Sequence, residues 1–155
     1  RMDDRGAGMS KQRMDPDIYA RFYAQADRVR AREDEKSKDS QIKRETVYTP
    51  VECVDFINQS VAAILMREFG VSMNDPRVEV LDPFAGTGIF LARAEEAGLI
   101  DPTRQSVHQI ELVQDSSEIS ARNVPGVKTH CFDTFALDPR VDLDAMPTVD
   151  GDCDG

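Results

Sequence analysis

The sequence predicts an α/β fold, the first half of a doubly wound parallel sheet, behind an N-terminal helical and charged extension. From residue 47 onward, segments with helical periodicity alternate with short apolar segments that suit buried strands, in the order helix, strand–helix, strand–helix, strand. A glycine-bearing loop at residues 82–88 joins the first strand to the helix after it. This alternation is typical of parallel strands that are joined by right-handed crossovers.

The N-terminal residues, 1–45, are predicted to form a charged extension or linker. Residues 1–10 carry glycine and charge with little apolar content, so we expect them to be disordered. A helix is predicted over residues 16–36 because Ile18, Phe22, Ala26 and Val29 are spaced to form one stripe. Its second half is almost wholly charged. The helix therefore either fades into a linker as a solvated element or docks on another domain.

The first helix of the α/β part is predicted to begin with a capping box. Thr49 suits the N-cap, Pro50 the first helical position, and Glu52 the acidic position of the box. Gly70 is a suitable stop. The apolar residues at helical spacing between these limits are Val54, Ile57, Val61, Ile64, Leu65 and Phe69.

The remaining elements of the sheet follow in order. Strands are predicted over residues 78–82, 106–112 and 127–132, with helices over 88–97 and from the second strand to about Asn123. After Leu137, aspartates stand among small residues, prolines and glycine, which predicts an acidic, solvated tail over 138–155. The sheet subdomain, residues 46–137, is therefore expected to be incomplete.

Composition limits the classes of partner. The chain has 19 Lys and Arg against 29 Asp and Glu, a net charge of −10, which is the wrong sign for gripping phosphates unaided. It has no membrane-length apolar run and no signal-peptide pattern.

Cys53, Cys131 and Cys153 are too widely spaced for a disulfide framework or a metal site, which favours a reducing cytoplasm. His108 and His130 are predicted to be structural. Arg1 in place of a methionine suggests a piece of a longer chain.

The glycine loop narrows the class of ligand. Gly86 and Gly88 can take positive φ and let the backbone approach a ligand closely. The dinucleotide fingerprint requires a third glycine where this chain has Leu91, and the phosphate-cradling loop requires a lysine where it has Ile89. Residues 78–92 contain no basic side chain, while Asp82 places a carboxylate at the end of the strand. A cationic ligand group therefore suits this loop better than a polyphosphate, unless it is an ordinary glycine turn.

The segment Asp-Pro-Phe-Ala-Gly-Thr-Gly at 82–88 closely resembles the S-adenosylmethionine loop of amino-methyltransferases that act on nucleic acid. The segment Val-Tyr-Thr-Pro at 47–50 resembles the Tyr-Thr-Pro element of adenine-N6 DNA methyltransferases. It is most similar to the forms that are fused to helicase and nuclease domains in single-chain restriction–modification enzymes. Over residues 47–137 this resemblance implies a Rossmann-like methyltransferase sheet with S-adenosyl-L-methionine as cofactor. DNA would be the partner, contacted through regions outside this segment.

The resemblance also implies the residues that hold the cofactor. Tyr48, Thr49 and Pro50 would receive the methionine carboxylate, since a helix N-terminus is an anion site. Asp82 would lie near the ammonium group, and Glu111 would bind the ribose diol. The full implied set, which contains no catalytic base and no metal ligand, is Tyr48, Thr49, Pro50, Asp82, Pro83, Phe84, Ala85, Gly86, Thr87, Gly88, Glu111, Asp133 for the adenine amino group, and Phe135 beside the purine ring.

The element that would hold a target base is missing from this sequence. Amino-methyltransferases of this kind use an Asn/Asp-Pro-Pro-Tyr/Phe loop, whose aromatic ring stacks on the flipped base. None of the chain's five Asp-Pro pairs has the second proline. We therefore expect the segment itself to be inactive and methyl transfer to belong to a longer parent protein. A methyltransferase acting on RNA or protein, and an inactive module used for binding or association, remain open as alternatives.

Overall fold

The computed structural model describes residues 16–36, 49–138 and 140–149. The element order is the one predicted from the sequence. The helices are α1 (Pro16–Lys36), α2 (Val51–Phe69), α3 (Ile89–Glu96) and α4 (Gln114–Asn123), the strands are β1 (Val80–Asp82), β2 (Val107–Glu111) and β3 (Lys128–Cys131), and two short 3₁₀ helices follow at Thr134–Ala136 and Leu143–Ala145. Among the described residues, no helix is long and apolar enough to cross a membrane.

The three strands form one parallel sheet in the order β1-β2-β3. The topology is compatible with a Rossmann-like fragment, while its assignment as the first half of a doubly wound methyltransferase sheet stays a prediction. Each strand is shorter than predicted. At β1 the reason is local: the Val78 N–H bonds to the Asp75 carbonyl at 2.9 Å, and the Val78 carbonyl accepts from Gln105 Nε2 at 3.0 Å. Residue 78 therefore belongs to a turn.

The buried core lies between α3 and the sheet and fixes the position of the glycine loop. Leu91 and Ala94 of α3 pack with Val107 of β2 and with Val124 and Val127, which lie between α4 and β3. The removal of these side chains from water supplies the main driving force for folding. Because all three strands run the same way, their carboxyl ends meet at one edge of the sheet, next to the loop.

The start of α2 differs from the predicted capping box. The helix begins at Val51 with Pro50 as its N-cap, and it has no side-chain cap among the described residues. Pro50 has an extended ψ of 143°, so its carbonyl accepts the first helical bonds, from Cys53 and Val54. Glu52 is then one position too early to close a box. The predicted stop is confirmed, since Gly70 caps the helix with a φ of +66°.

Only part of the apolar stripe of α2 is buried. Val54 is fully buried and Leu65 packs at the edge of the core. By contrast, Ile57, Val61 and Ile64 are each more than 40% exposed. The reason is that α2 packs against α3 through one face, and these three side chains lie on a different face. An apolar stripe in a helical sequence therefore does not show which of its side chains pack against another element.

Residues 140–149, which were predicted to be part of a solvated tail, lie against the sheet. Val149 donates its N–H to the Thr129 carbonyl of β3 at 2.7 Å, and the Pro147 carbonyl lies 2.9 Å from His130 Nδ1. The ring of His130 stacks on that of His108 with their centroids 5.4 Å apart. The outer edge of β3 offers backbone groups that need partners, and the acidic segment satisfies one of them.

Candidate functional site

Three carboxylates lie at the carboxyl edge of the sheet. Asp82 ends β1, Glu111 ends β2, and Asp133 follows β3 by two residues. They are more than twenty residues apart in sequence, and the parallel order of the strands places them at the same edge. In open α/β sheets this is the edge at which ligands bind.

The glycine loop between β1 and α3 has the backbone conformation that the sequence predicted. Gly86 has a φ of +56° and Gly88 a φ of +88°. The two glycines differ in their surroundings. A Cβ on Gly88 would lie 2.7 Å from Ser120 Oγ of α4, so Gly88 permits close packing inside the protein. A Cβ on Gly86 would meet none of the described residues within 4 Å, so among them this position faces open space that a ligand can approach.

Asp82 has one carboxylate oxygen without a partner among the described residues. Its Oδ1 accepts the Phe84 N–H at 3.1 Å, while its Oδ2 is buried and accepts no hydrogen bond. Burial raises the pKa of the Asp82 carboxyl, the Phe84 N–H opposes this, and the nearby Glu111 carboxylate adds to it. A buried acceptor without a partner costs free energy, so this oxygen is a favourable place for a donor or a cation.

Glu111 holds the loop against the sheet. Its Oε2 accepts the Gly86 N–H at 2.8 Å, and its Oε1 accepts the Val113 N–H at 2.9 Å. A carboxylate has about four lone-pair sites, so both oxygens keep the capacity for a further bond. Glu111 therefore fixes the position of Gly86 and can still accept hydroxyl groups from a ligand.

A cleft of about 140 Å³ lies beside Glu111 and has two exposed aromatic rings at its wall. Phe84 is 61% exposed and Phe135 89% exposed, and their ring centroids lie 5.6 Å apart. Asp133 caps the short helix of Phe135 by accepting its N–H at 3.0 Å, and Thr134 Oγ1 donates to the Pro83 carbonyl. Exposed aromatic rings of this kind offer apolar faces to a flat ligand ring.

A second cavity, of about 100 Å³, lies between α1 and the other side of the glycine loop. The sequence prediction of the site did not include the α1 side of it. Phe22, Tyr23, Ala26 and Val29 form that wall. The apolar stripe of α1 indicated that this helix packs against another part of the protein. The sequence did not show that the stripe lies across a cavity from the glycine loop.

Most of the predicted site residues line one of these two cavities. Thr49, Ala85, Gly86 and Thr87 line the cavity under α1, and Phe84 lines both. The residues on the far side of the loop are Pro83, Glu111, Asp133 and Phe135. The remaining predicted site residues that the structure describes line neither cavity. Gly88 is buried at the start of α3, and Pro50 is exposed at the start of α2. Asp82 ends β1 behind the loop, and Tyr48 lies outside the described residues.

Two solved structures are similar to part of the chain. One is a nuclease-deletion mutant of the Type ISP restriction-modification enzyme LlaGI in complex with a DNA substrate mimic, with 36% identity over 52% of this chain and 9% of that chain and a TM-score of 0.44. The other is the ATP-dependent Type ISP restriction-modification enzyme LlaBIII bound to DNA, with 36% identity over 54% of this chain and 6% of that chain and a TM-score of 0.44.

The chain thus spans less than a tenth of the length of either enzyme. No protein-family model matches the chain, and no curated protein matches it.

Proposed function

We propose that this chain is the S-adenosylmethionine-binding segment of a DNA adenine-N6 methyltransferase of the restriction–modification type. The observation that carries the cofactor assignment is the buried, unpartnered Oδ2 of Asp82, at the edge where Glu111 holds a glycine loop without basic side chains. The assignment of DNA adenine as substrate rests on the Tyr-Thr-Pro element at residues 48–50 and on its spacing from the loop.

The side chains around the loop fit the parts of S-adenosylmethionine. Asp82, behind the loop, is suited to the ammonium group through a water, and Glu111 to the ribose hydroxyls. Phe84 and Phe135 would flank the adenine ring, with Asp133 near its amino group. The methionine carboxylate would bind at the start of α2, where no described side chain caps the first-turn amides.

A polyphosphate cofactor fits this edge poorly. The loop carries no basic side chain, and the carboxylates of Asp82 and Glu111 lie close enough to affect each other. Phosphate groups would be repelled by both. A ligand with a cationic group and a ribose diol would instead give the Asp82 carboxylate a partner and donate hydrogen bonds to the free lone pairs of Glu111.

Bound S-adenosylmethionine would supply an activated methyl group on a positively charged sulfur. The residues of this chain would contribute by binding and orienting that donor, and positioning accounts for a large part of the barrier reduction in such direct transfers. The target base would be held elsewhere, because the sequence contains no Asn/Asp-Pro-Pro-Tyr/Phe loop. The net charge of −10, which opposes contact with DNA phosphates, favours a second candidate function, a cofactor-binding module without transfer activity.

Titration calorimetry with S-adenosylmethionine tests the cofactor assignment. The wild-type chain should bind it, with much weaker binding of ATP. Glu111→Gln should weaken binding by about 1.5–3 kcal/mol, roughly ten- to hundredfold, because a charge-assisted bond to the ribose is lost. The control is Glu79→Gln. Glu79 is exposed and lies just before the first residue of β1, at the end of the strand away from the site. Equal affinity of the Glu111→Gln and wild-type chains would contradict the ribose assignment, and tighter binding of ATP would contradict the cofactor.

Transfer of labelled methyl groups to duplex DNA tests the substrate. We expect no transfer by this chain and transfer to adenine N6 by the longer parent protein. If the parent protein bound the cofactor but methylated RNA or protein, or nothing, the corresponding alternative would replace the DNA assignment.

A further inference from the structure

The inner face of α1 is buried although the helix is rich in charge. Phe22, Ala26 and Val29 are each no more than 5% exposed. They line the cavity that has Gly86 and Thr87 on its opposite wall. Burial of a Phe or Val side chain contributes substantially to the free energy of docking, so α1 is held against the domain, where it contacts α4, while its inner face lines the cavity beside the loop.

Asn123 at the end of α4 joins α1 to the glycine loop through a single side chain. Its Nδ2 donates to Gln25 Oε1 of α1 and to the Thr87 carbonyl of the loop, both at 2.9 Å. Its Oδ1 accepts from Arg21 of α1 at 3.1 Å. Both donor positions of the amide are therefore in use, one toward α1 and one toward the loop. A displacement of α1 would break the bonds of Asn123 to Gln25 and Arg21, and only the bond to the Thr87 carbonyl would then hold the side chain in place.

Tyr23 makes a second link from α1 to the site. Its hydroxyl donates to the Thr49 carbonyl over 3.4 Å. Thr49 precedes Pro50, the N-cap of α2, and the methionine carboxylate is expected to bind at this end of the helix. One helix thus contacts both segments that would hold the methionine end of the ligand.

We propose that α1 is a wall of the cofactor site and that cofactor binding and the docking of α1 stabilise each other. This inference rests on the proposed function and extends it. The aromatic and aliphatic side chains of α1 face the open side of Gly86, where the sulfonium-bearing chain of the ligand would pass, and aromatic rings attract such cations. Because binding linkage is reciprocal, a ligand that requires the docked helix must also hold it in place.

Two tryptophan variants of α1 test the wall. Ala26→Trp places a large ring in the cavity, whereas Ala24→Trp places the same ring on the exposed side of the helix. In calorimetry with S-adenosylmethionine we expect Ala26→Trp to raise Kd at least tenfold and Ala24→Trp to leave it unchanged. Circular dichroism of both variants checks that helix content is retained.

Hydrogen exchange of the α1 amides tests the linkage. At S-adenosylmethionine concentrations about 100 times Kd, protection of α1 in the wild type should increase roughly 100-fold if only the docked state binds. Asn123→Asp is nearly isosteric and keeps an acceptor for Arg21, but it loses both donors. We expect this variant to bind less tightly and to lose most of the ligand-induced protection, while protection of β2 stays near that of the wild type.

The outcomes distinguish the two proposals. If the wild type binds the cofactor, equal affinities of Ala26→Trp and Ala24→Trp together with unchanged exchange of α1 would overturn the role of α1 alone. If the wild type does not bind the cofactor, the proposed function fails and the inference about α1 fails with it.

Discussion

Replacing Asp82 with asparagine should stabilise the ligand-free protein and weaken its binding of S-adenosylmethionine. The substitution keeps the size of the side chain and an oxygen that can accept the Phe84 N–H. It removes a negative charge from a buried position beside Glu111. A raised pKa means that the folded state disfavours the charged form of Asp82. The carboxyl therefore costs no stability at a pH below its pKa in the unfolded state, and the loss of stability grows as the pH rises through its pKa in the folded state.

The two effects have opposite signs and comparable sizes. An unsatisfied buried group costs about 1–3 kcal/mol, and the amide recovers only part of this because its NH₂ group also needs a partner. We expect a gain of about 1 kcal/mol at pH 7, which is a rise in Tm of roughly 3–5 °C for a domain of this size. The loss of a charge-assisted bond to the ligand ammonium should cost about 1.5–3 kcal/mol, or roughly ten- to hundredfold in Kd.

Thermal unfolding at pH 7 without ligand, followed by calorimetric titration of the same samples, measures both effects. Asp142→Asn is a matched control, because Asp142 makes the same type of bond to the N–H two residues ahead but is exposed. Its Tm and Kd should stay near those of the wild type. A lower Tm for Asp82→Asn would show that the carboxylate is not a net cost. An unchanged Kd would show that Asp82 does not face the ligand.

Three further predictions follow from the loop and the histidine pair. Gly88→Ala should lower the free energy of unfolding by about 2 kcal/mol or more in chemical denaturation, because φ is +88° and the new Cβ would lie 2.7 Å from Ser120 Oγ. Gly86→Ala meets no such contact and should cost about 1 kcal/mol, so equal losses for the two would contradict the packing argument. Burial and the neighbouring His130 lower the pKa of His108, so its contribution is intact above pH 6.5 and is lost as the pH falls through the folded pKa. Denaturant midpoints from pH 8 to pH 5 should fall less in His108→Gln than in the wild type, and parallel curves would refute this.

Much of the fold could be predicted because its signals are local. The positive φ angles of Gly86 and Gly88 and the stop at Gly70 follow from what glycine alone tolerates, and all three were predicted. The convergence of Asp82 and Glu111 follows from the parallel order of the strands. These features depend on residue type and on short-range periodicity, which a sequence displays directly.

The features that could not be predicted depend on partners distant in sequence. Phe22 packs toward a loop some sixty residues away, and its stripe did not reveal that partner. The exposure of Ile57 depends on which face of α2 meets α3. Val149 lies against β3 because its N–H bonds to a carbonyl at the edge of that strand. The composition of the acidic segment did not indicate this contact. The cap at Pro50 lies a single residue from the predicted one, yet within the part of the chain that the structure describes no side chain then caps the first-turn amides of α2.

The position of β1 at the side of the sheet has a consequence for where the proposed methyl transfer would take place. Within the described residues β1 pairs only with β2, so one long side of this strand is available to another strand. A parallel strand added there would reverse the winding direction of the sheet. The topological switch point would then fall between β1 and the newcomer, directly outside Asp82. A substrate held by that added strand would meet the proposed methyl donor across a crevice, and this chain would provide one of the two sides of the crevice.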